Sequence, residues 1–241
     1  MSVATLKRSQ FVVGLARAFR GLTEDTRVLA WSAGRSGKIS EYLKTHRVRK
    51  LQIGSSNNAL DGWLNTDIFP FKGSAVYLNA TRRFPFPDNS FDYIMSEHMI
   101  EHIEYQGAEN MLRECFRVLK PGGRIRVATP NLSVLLALHS GERTKEQESY
   151  IDWAIARFMP AVDKCKDVFV INNFFQSWGH RFLYDADTLR HTLEVCGFRD
   201  IEFHRPGESD DPNLRGLESH GRELGSEDVN RFETMVVEGR K

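Results

Sequence analysis

The stretch from Phe91 to Thr129 constrains this chain more than any other, because within about forty residues it reads strand, helix, sharp turn, strand. Phe91 to Met95 is a short apolar run of strand type. Met111, Leu112, Cys115, Phe116 and Leu119 then recur at i, i+1, i+4, i+5 and i+8, which puts one apolar stripe on a helix. Pro121-Gly122-Gly123 stops that helix. Arg124 to Thr129 follows, with Ile125 and Val127 alternating against Arg124 and Arg126 as a half-buried strand requires. Two strands joined through a helix lie parallel, with a right-handed crossover. The fold class is α/β.

The same alternation extends in both directions. Leu51 to Gly54, Trp63 to Ile68 and Ala75 to Leu78 read as strands before the unit. After it come a helix over Ala186 to Val195, stopped by Gly197, and strands at Ile201 to His204 and Thr234 to Val237. Residues 131–184 interrupt the pattern with helices at Leu132 to His139 and Tyr150 to Phe158, then the aromatic-rich run INNFFQSWGHRFLY. An insertion on the edge where strands end borders the ligand crevice of an α/β sheet. It is expected to be a lid or substrate-binding element.

Composition bounds the function. The 241 residues are 41% hydrophobic and 27% charged, the profile of one soluble globular domain. A net charge of +1 argues against a dedicated nucleic-acid partner. Cys115, Cys165 and Cys196 form no C-x-x-C pair, so neither a disulfide framework nor a thiolate zinc site is expected, and the compartment is expected to be cytoplasmic. Charge is uneven: residues 1–50 hold eleven basic side chains against three acidic, and 201–241 hold six against ten. Residues 1–49 therefore read as a basic N-terminal helical extension ahead of a domain at 50–241. Phe11, Val12, Leu15 and Phe19 fall at helical spacing among Arg17 and Arg20, a face that could cap the domain, touch an anionic membrane peripherally, or meet a second copy in a homodimer. The acidic run GESDDPNLRGLESHGRELGSED is expected to be a long exposed loop.

The turn after the first strand reads LQIGSSNNALDGWLNTDI. A dinucleotide fingerprint needs three glycines in G-x-G-x-x-G, and here Gly54 stands alone before Ser55, Ser56 and Asn57. What remains is a glycine where backbone can approach a ligand, two hydroxyls, and Asp67 at the end of the next strand, placed to accept hydrogen bonds from a ribose diol. A P-loop is excluded by Ser32 and Ile39 in SAGRSGKIS. His98-Met99-Ile100-Glu101-His102 matches the H-x-x-E-H pattern of one zinc peptidase class, with two histidines on one helical face. The segment directly follows a core strand and no third ligand stands out, so no metal is expected. Ser96, Glu97 and His98 instead read as facing the crevice, with His102 opening the next helix.

The succession LQIGSSNN, GWLNTDI, YLNATRRFPFPDNSFDYIMSEHMIEHI, RECFRVLKPGGRIRVATP and TLRHTLEVCGF resembles the Rossmann-like (class I) S-adenosylmethionine-dependent methyltransferases, specifically the small bacterial type associated with polysaccharide and other sugar pathways. The resemblance implies a three-layer sandwich around a seven-stranded, mostly parallel sheet with an antiparallel last strand. It implies S-adenosylmethionine as cofactor. Gly54, Ser55 and Ser56 would line its methionine and ribose, Asp67 would take the ribose hydroxyls, Asn79 with Ala80 would meet the adenine edge, and Ser96 would lie near the methionyl end. Where the family has an acid toward adenine this chain has Asn79, whose carbonyl oxygen can accept from the adenine amino group.

The expected reaction is in-line methyl transfer to an oxygen of a sugar or glycan-type acceptor. A positioned base adds about 10²–10⁴-fold to such a step, and histidine titrates in the right range. His98 and His180 are the candidate bases, with Glu97 orienting. Phe174, Phe175, Trp178 and Tyr184 are candidates for stacking on the acceptor. Two other readings are an inactive cofactor-binding module of the same fold, and a metal-dependent hydrolase built on His98 and His102.

Overall fold

The computed structural model describes residues 28–70 and 75–241. The helix expected around Phe11 to Phe19 lies outside them. A helix α1 (Arg35–Thr45) leads into strands β1 (Lys50–Ile53), β2 (Leu64–Asp67), β3 (Val76–Tyr77) and β4 (Phe91–Glu97). A 3-10 turn (Ile100–His102), helix α2 (Tyr105–Val118) and strand β5 (Leu119–Pro130) follow. The insertion carries α3 (Leu132–Ala137), α4 (Lys145–Phe158) and α5 (Lys166–Gln176). The chain closes with α6 (Ala186–Val195), β6 (Arg199–His204), α7 (His220–Leu224), α8 (Glu227–Glu233) and β7 (Thr234–Arg240).

The seven strands form one sheet in the order β3-β2-β1-β4-β5-β7-β6. β1 to β5 pair parallel, and β7 enters antiparallel between β5 and β6. The expected class and the antiparallel last strand are both present. On one face Leu51, Ile53, Phe91, Ile94, Ile125 and Val127 pack against Met111, Leu112 and Cys115 of α2 and Leu189 and Leu193 of α6. Each fully buried large apolar side chain contributes roughly 1.5–3 kcal/mol, so this face carries the main core. Ile39 and Tyr42 of α1 are buried in the same core, and the Tyr42 hydroxyl joins the Lys50 and Gly62 carbonyls at 2.9 and 3.0 Å. The packed core therefore reaches back ahead of residue 50, where the sequence suggested it begins.

The other face is covered largely by the 205–219 segment. Leu214 is fully buried beside Trp63 and Met95. Arg126, fully buried on β5, pairs with Glu218 and Glu238, each at 2.6 Å, and donates to the Glu208 carbonyl. Tyr93 and Arg124 meet Asp211, and Lys50 reaches Asn213. The acidic run is thus no exposed loop in this stretch. Its carboxylates answer basic side chains that point from the sheet, a pairing that local composition does not reveal.

The insertion builds its own apolar cluster from Leu135, Leu138, Tyr150, Ile151, Ala154, Ile155, Val170 and Phe174, completed by Val229 of α8. Among the described residues no helix is long and apolar enough to cross a membrane.

Candidate functional site

The carboxyl ends of β1, β2 and β4 converge at Gly54. Its φ is +73°, and a Cβ there would lie 2.5 Å from Met99 Cγ, so only glycine fits. The Gly54 and Ser55 amides both donate to the Thr66 carbonyl, which bends the chain back across β2. Ser56 also sits in the left-handed region, at φ 44°, and its amide donates to Asp67 Oδ2 at 2.9 Å. Asp67 Oδ1 accepts from the Phe69 amide. Each carboxylate oxygen keeps a second lone pair, so this turn is held by Asp67 and the acid can still accept from a diol. Ser55 Oγ and Ser96 Oγ are buried without a hydrogen-bond partner among the described residues. Two orphaned hydroxyls at adjoining strand ends fit the polar methionyl end of S-adenosylmethionine, because a buried hydroxyl left unpaired costs about 1–3 kcal/mol. Asn79 Oδ1 already accepts from the Thr81 amide and hydroxyl, at 3.0 and 2.8 Å, so what it turns outward is its amide nitrogen, a donor. Ala80 is buried in the core beside it.

A cavity of about 390 Å³ runs from this turn to the insertion. Gly54, Ser55 and Ser56 border it at one end; Glu97, His98, Glu101, His102, His180, His220 and Glu233 supply titratable groups; Trp153, Phe158, Phe174 and Trp178 supply rings. Asp67, Asn79, Ala80, Ser96, Phe175 and Tyr184 are not among its walls. Ser56, His98 and Trp178, three residues of the wall, have left-handed backbones with φ of 44°, 43° and 58°. Such conformations cost roughly 1–3 kcal/mol each and cluster where a site demands them.

His98 is engaged on both ring nitrogens. Nε2 lies 3.0 Å from Thr234 Oγ1, and that hydroxyl gives its one proton to Asn230 Oδ1 at 2.9 Å. Nε2 must therefore donate. Nδ1 forms an ion pair with Glu101 at 3.2 Å, and Glu101 also accepts from Thr129. Burial alone would lower the imidazole pKa, but the carboxylates of Glu101, Glu233 and Glu97 together more than offset it, and the net direction is up. With both nitrogens engaged, His98 offers no free lone pair to serve as a base. Glu97 does not orient it either: Glu97 accepts from the Ser219 and His220 amides and from the Ser219 hydroxyl.

His220 stacks on His98 with ring centroids 3.7 Å apart. Its Nε2 lies 3.2 Å from Glu233, whose other oxygen accepts from the buried Tyr150 hydroxyl. Its Nδ1, 4.0 Å from Glu223, is the ring atom left to meet a ligand. Desolvation and Glu233 push the Tyr150 hydroxyl well above its usual range, so Tyr150 stays a donor.

His180 Nδ1 donates to the Phe174 carbonyl at 2.7 Å, which leaves Nε2 unprotonated, and burial lowers its pKa. Phe174, Trp178 and His180 are in mutual ring contact, and Phe158 meets Trp178 at 5.1 Å. Phe175 is half-exposed on the outer side of α5. Tyr184 is fully buried, its ring against Tyr105 and Phe182, so it packs the core and offers no face to an acceptor. Among the described residues the clustered ligand set is Glu101, His102 and His180, and His98 is not part of it.

His220, Glu233, Tyr150, Trp153 and Phe158 escaped sequence reasoning. His220 sits in a run that reads as loop, and Glu233 ends a seven-residue helix. Neither stands in a motif, and only the fold joins them.

The sheet order and the turn at Gly54 give this protein the fold of the class I, Rossmann-like S-adenosylmethionine-dependent methyltransferases. Residues 33–127 match the family model of a methyltransferase domain. Ubiquinone/menaquinone biosynthesis C-methyltransferases UbiE of Salmonella paratyphi B and Salmonella newport are each 28% identical over 133 residues, 55% of this chain and 49% of theirs. The chain thus spans about half the length of these curated relatives. Solved structures with similar folds include a SAM-dependent methyltransferase from Archaeoglobus fulgidus, with a TM-score of 0.49 and 18% identity over 92% of this chain and 100% of that one. Phosphoethanolamine N-methyltransferase 2 of Haemonchus contortus, which binds S-adenosyl-L-methionine, matches with a TM-score of 0.42 and 15% identity over 85% of this chain and 51% of that one.

Proposed function

We propose that this protein is an S-adenosylmethionine-dependent methyltransferase that methylates an oxygen of a sugar or glycan-type acceptor. The observation that carries the reading is one continuous cavity, with the Gly54–Ser56 turn at one end and the His220–Glu233 pair and the indole of Trp178 farther along it. Gly54, Ser55 and Ser56 would hold the methionine and ribose, Asp67 the ribose hydroxyls, Asn79 with Ala80 the adenine edge, and Ser96 the methionyl end. When bound, S-adenosylmethionine supplies a methyl group already activated on a sulfonium. The chain's own task is to align the acceptor, and orientation alone can lower the barrier by about 7–11 kcal/mol. Trp153, Phe174 and Trp178 offer apolar faces for a pyranose ring. His220 Nδ1 takes the hydroxyl proton, with Glu233 stabilising the imidazolium. Phe175 and Tyr184 have no part in this assignment. The free thiols support a cytoplasmic setting, with no nucleic-acid partner.

A second reading is carbon methylation of a phenolic or quinol ring, favoured by the ring-lined cavity and by the names of the curated relatives. Calorimetric titration with S-adenosylmethionine and S-adenosylhomocysteine, in the native protein and in Asp67→Ala, tests the cofactor. Tight binding in the first and weakened binding in the second is expected; no binding to folded native protein overturns the proposal. Release of S-adenosylhomocysteine against a panel of sugars, glycans and quinols, with NMR of the product, separates O-methyl from C-methyl. Cofactor binding with no methylated product from any acceptor would make the chain a binding module.

A further inference from the structure

We propose that Glu101, His102 and His180 form a binding site for one divalent first-row transition-metal ion on the wall of this cavity. One ligand atom from each of the three lies within 4.8 Å of the others, a separation that small side-chain rotations close. Two imidazoles and a carboxylate select zinc, cobalt or ferrous iron over magnesium or calcium, which prefer oxygen.

Three features suggest a built site rather than a chance cluster. His180 Nδ1 donates to the Phe174 carbonyl, so Nε2 is the ring atom left with a lone pair for an ion; metal-binding histidines are oriented in this way. The carboxylate of Glu101 is fully buried, and among the described residues its Oε1 meets only His98, 3.2 Å away. The two segments are also tied together. The Arg181 and Phe182 amides both donate to the Glu101 carbonyl, at 2.7 and 3.2 Å, and the left-handed Trp178 and Gly179 turn His180 back toward it. The rings of His102 and His180 consequently stand 5.0 Å apart at 60°.

His98 is the polar neighbour that must be reconciled with an ion. Its Nδ1 faces Glu101 Oε1, while Thr129 donates to Oε2. Each carboxylate oxygen has two lone pairs, so Glu101 can meet the ion and keep both partners, which then brace it from behind. Three protein ligands that all border the cavity leave at least one coordination position open to it, the arrangement of catalytic rather than structural sites.

The test is uptake of Zn²⁺ and of Co²⁺ by the full chain after treatment with chelator, measured by calorimetry and by elemental analysis after dialysis. Mg²⁺ serves as the comparison ion. One equivalent of Zn²⁺ or Co²⁺ is expected, with visible Co²⁺ ligand-field bands. His102→Gln and His180→Gln should each weaken uptake by about 100-fold or more, since losing even an outer partner of a ligand costs about 10–100-fold. His191→Ala, on the exposed face of α6, should leave uptake unchanged. Absence of stoichiometric uptake by folded protein overturns the proposal, as does full uptake in both glutamine variants or its loss in His191→Ala. S-adenosylhomocysteine titrations of the same samples keep the two proposals apart. Metal uptake without cofactor binding sinks the methyltransferase reading alone, and the reverse sinks the metal site alone.

Discussion

Glu97 at the end of β4 accepts the backbone N–H of Ser219 at 2.7 Å, across 122 residues of sequence. The same carboxylate takes the His220 amide at 2.8 Å. One side chain on the sheet therefore sets where the α7 segment starts, and with it the ring of His220 over His98.

Both amides go to the same oxygen, Oε1, so only removal of the carboxylate frees them. Glu97→Ala should lower kcat for methyl transfer by about 10–100-fold through misplacement of His220, with the dissociation constant for S-adenosylhomocysteine changed less than about threefold. It should also lose about 1–3 kcal/mol of stability. Steady-state kinetics with the acceptor found in the screen, beside urea unfolding, checks both; an unaltered kcat would remove Glu97 from the positioning role.

Gly54→Ala meets two obstacles, a left-handed backbone and the Met99 side chain. Strain of this kind costs roughly 1–3 kcal/mol. Displacing Met99 also moves the turn that borders the cavity. A lower unfolding midpoint and weaker S-adenosylhomocysteine binding are expected together; native-like values of both would show that the turn tolerates a side chain.

Arg126 answers two buried carboxylates, Glu218 and Glu238. Arg126→Met leaves Glu218 without its cation and Glu238 with only Arg124, 3.7 Å away, and breaking a buried pair from one side costs about 3–5 kcal/mol. Denaturant unfolding measures the loss. A loss under about 1 kcal/mol would mean that the 205–219 segment is held chiefly by Leu214 and its apolar neighbours.

The His98–Glu101 pair predicts how stability varies with pH in metal-free buffer. His98 binds its proton more tightly in the folded chain, so its contribution is complete below the unfolded pKa of about 6.5 and is lost as pH rises through the higher folded value. Burial opposes ionisation of Glu101, yet His98 holds its pKa below the ordinary value, so its contribution is present above about 4.3 and is lost as pH falls through the folded value. Thermal unfolding from pH 4 to 9 should show the difference between native protein and His98→Gln largest between these limits and shrinking on the alkaline side. A difference independent of pH would mean that the pair is not ionised.

The strand, helix and turn over Phe91 to Thr129, the strands on either side and the glycine of the first turn were legible because each rests on periodicity or turn chemistry within a dozen residues. Gly54, Ser55 and Ser56 fell on the cavity for the same reason, since ligand crevices of parallel sheets form at strand ends. Tyr184 and Phe175 were not separable from Phe174 and Trp178 by sequence: five aromatic residues in eleven positions look alike until the fold decides which rings are buried and which border the cavity. The acidic run misled in a similar way, because its partners Arg124 and Arg126 lie on a strand far earlier in the chain.

The amino-acid sequence by itself determined the α/β class, the sheet's parallel core and the turn that would receive a cofactor, all products of local hydrophobic period and backbone chemistry. Tertiary structure alone decided which imidazole nitrogens are already engaged. Thr234 and Glu101 occupy the two nitrogens of His98 and Glu233 one nitrogen of His220, and the contact that makes His98 Nε2 a donor joins residues 136 positions apart, which leaves no periodic trace along a chain.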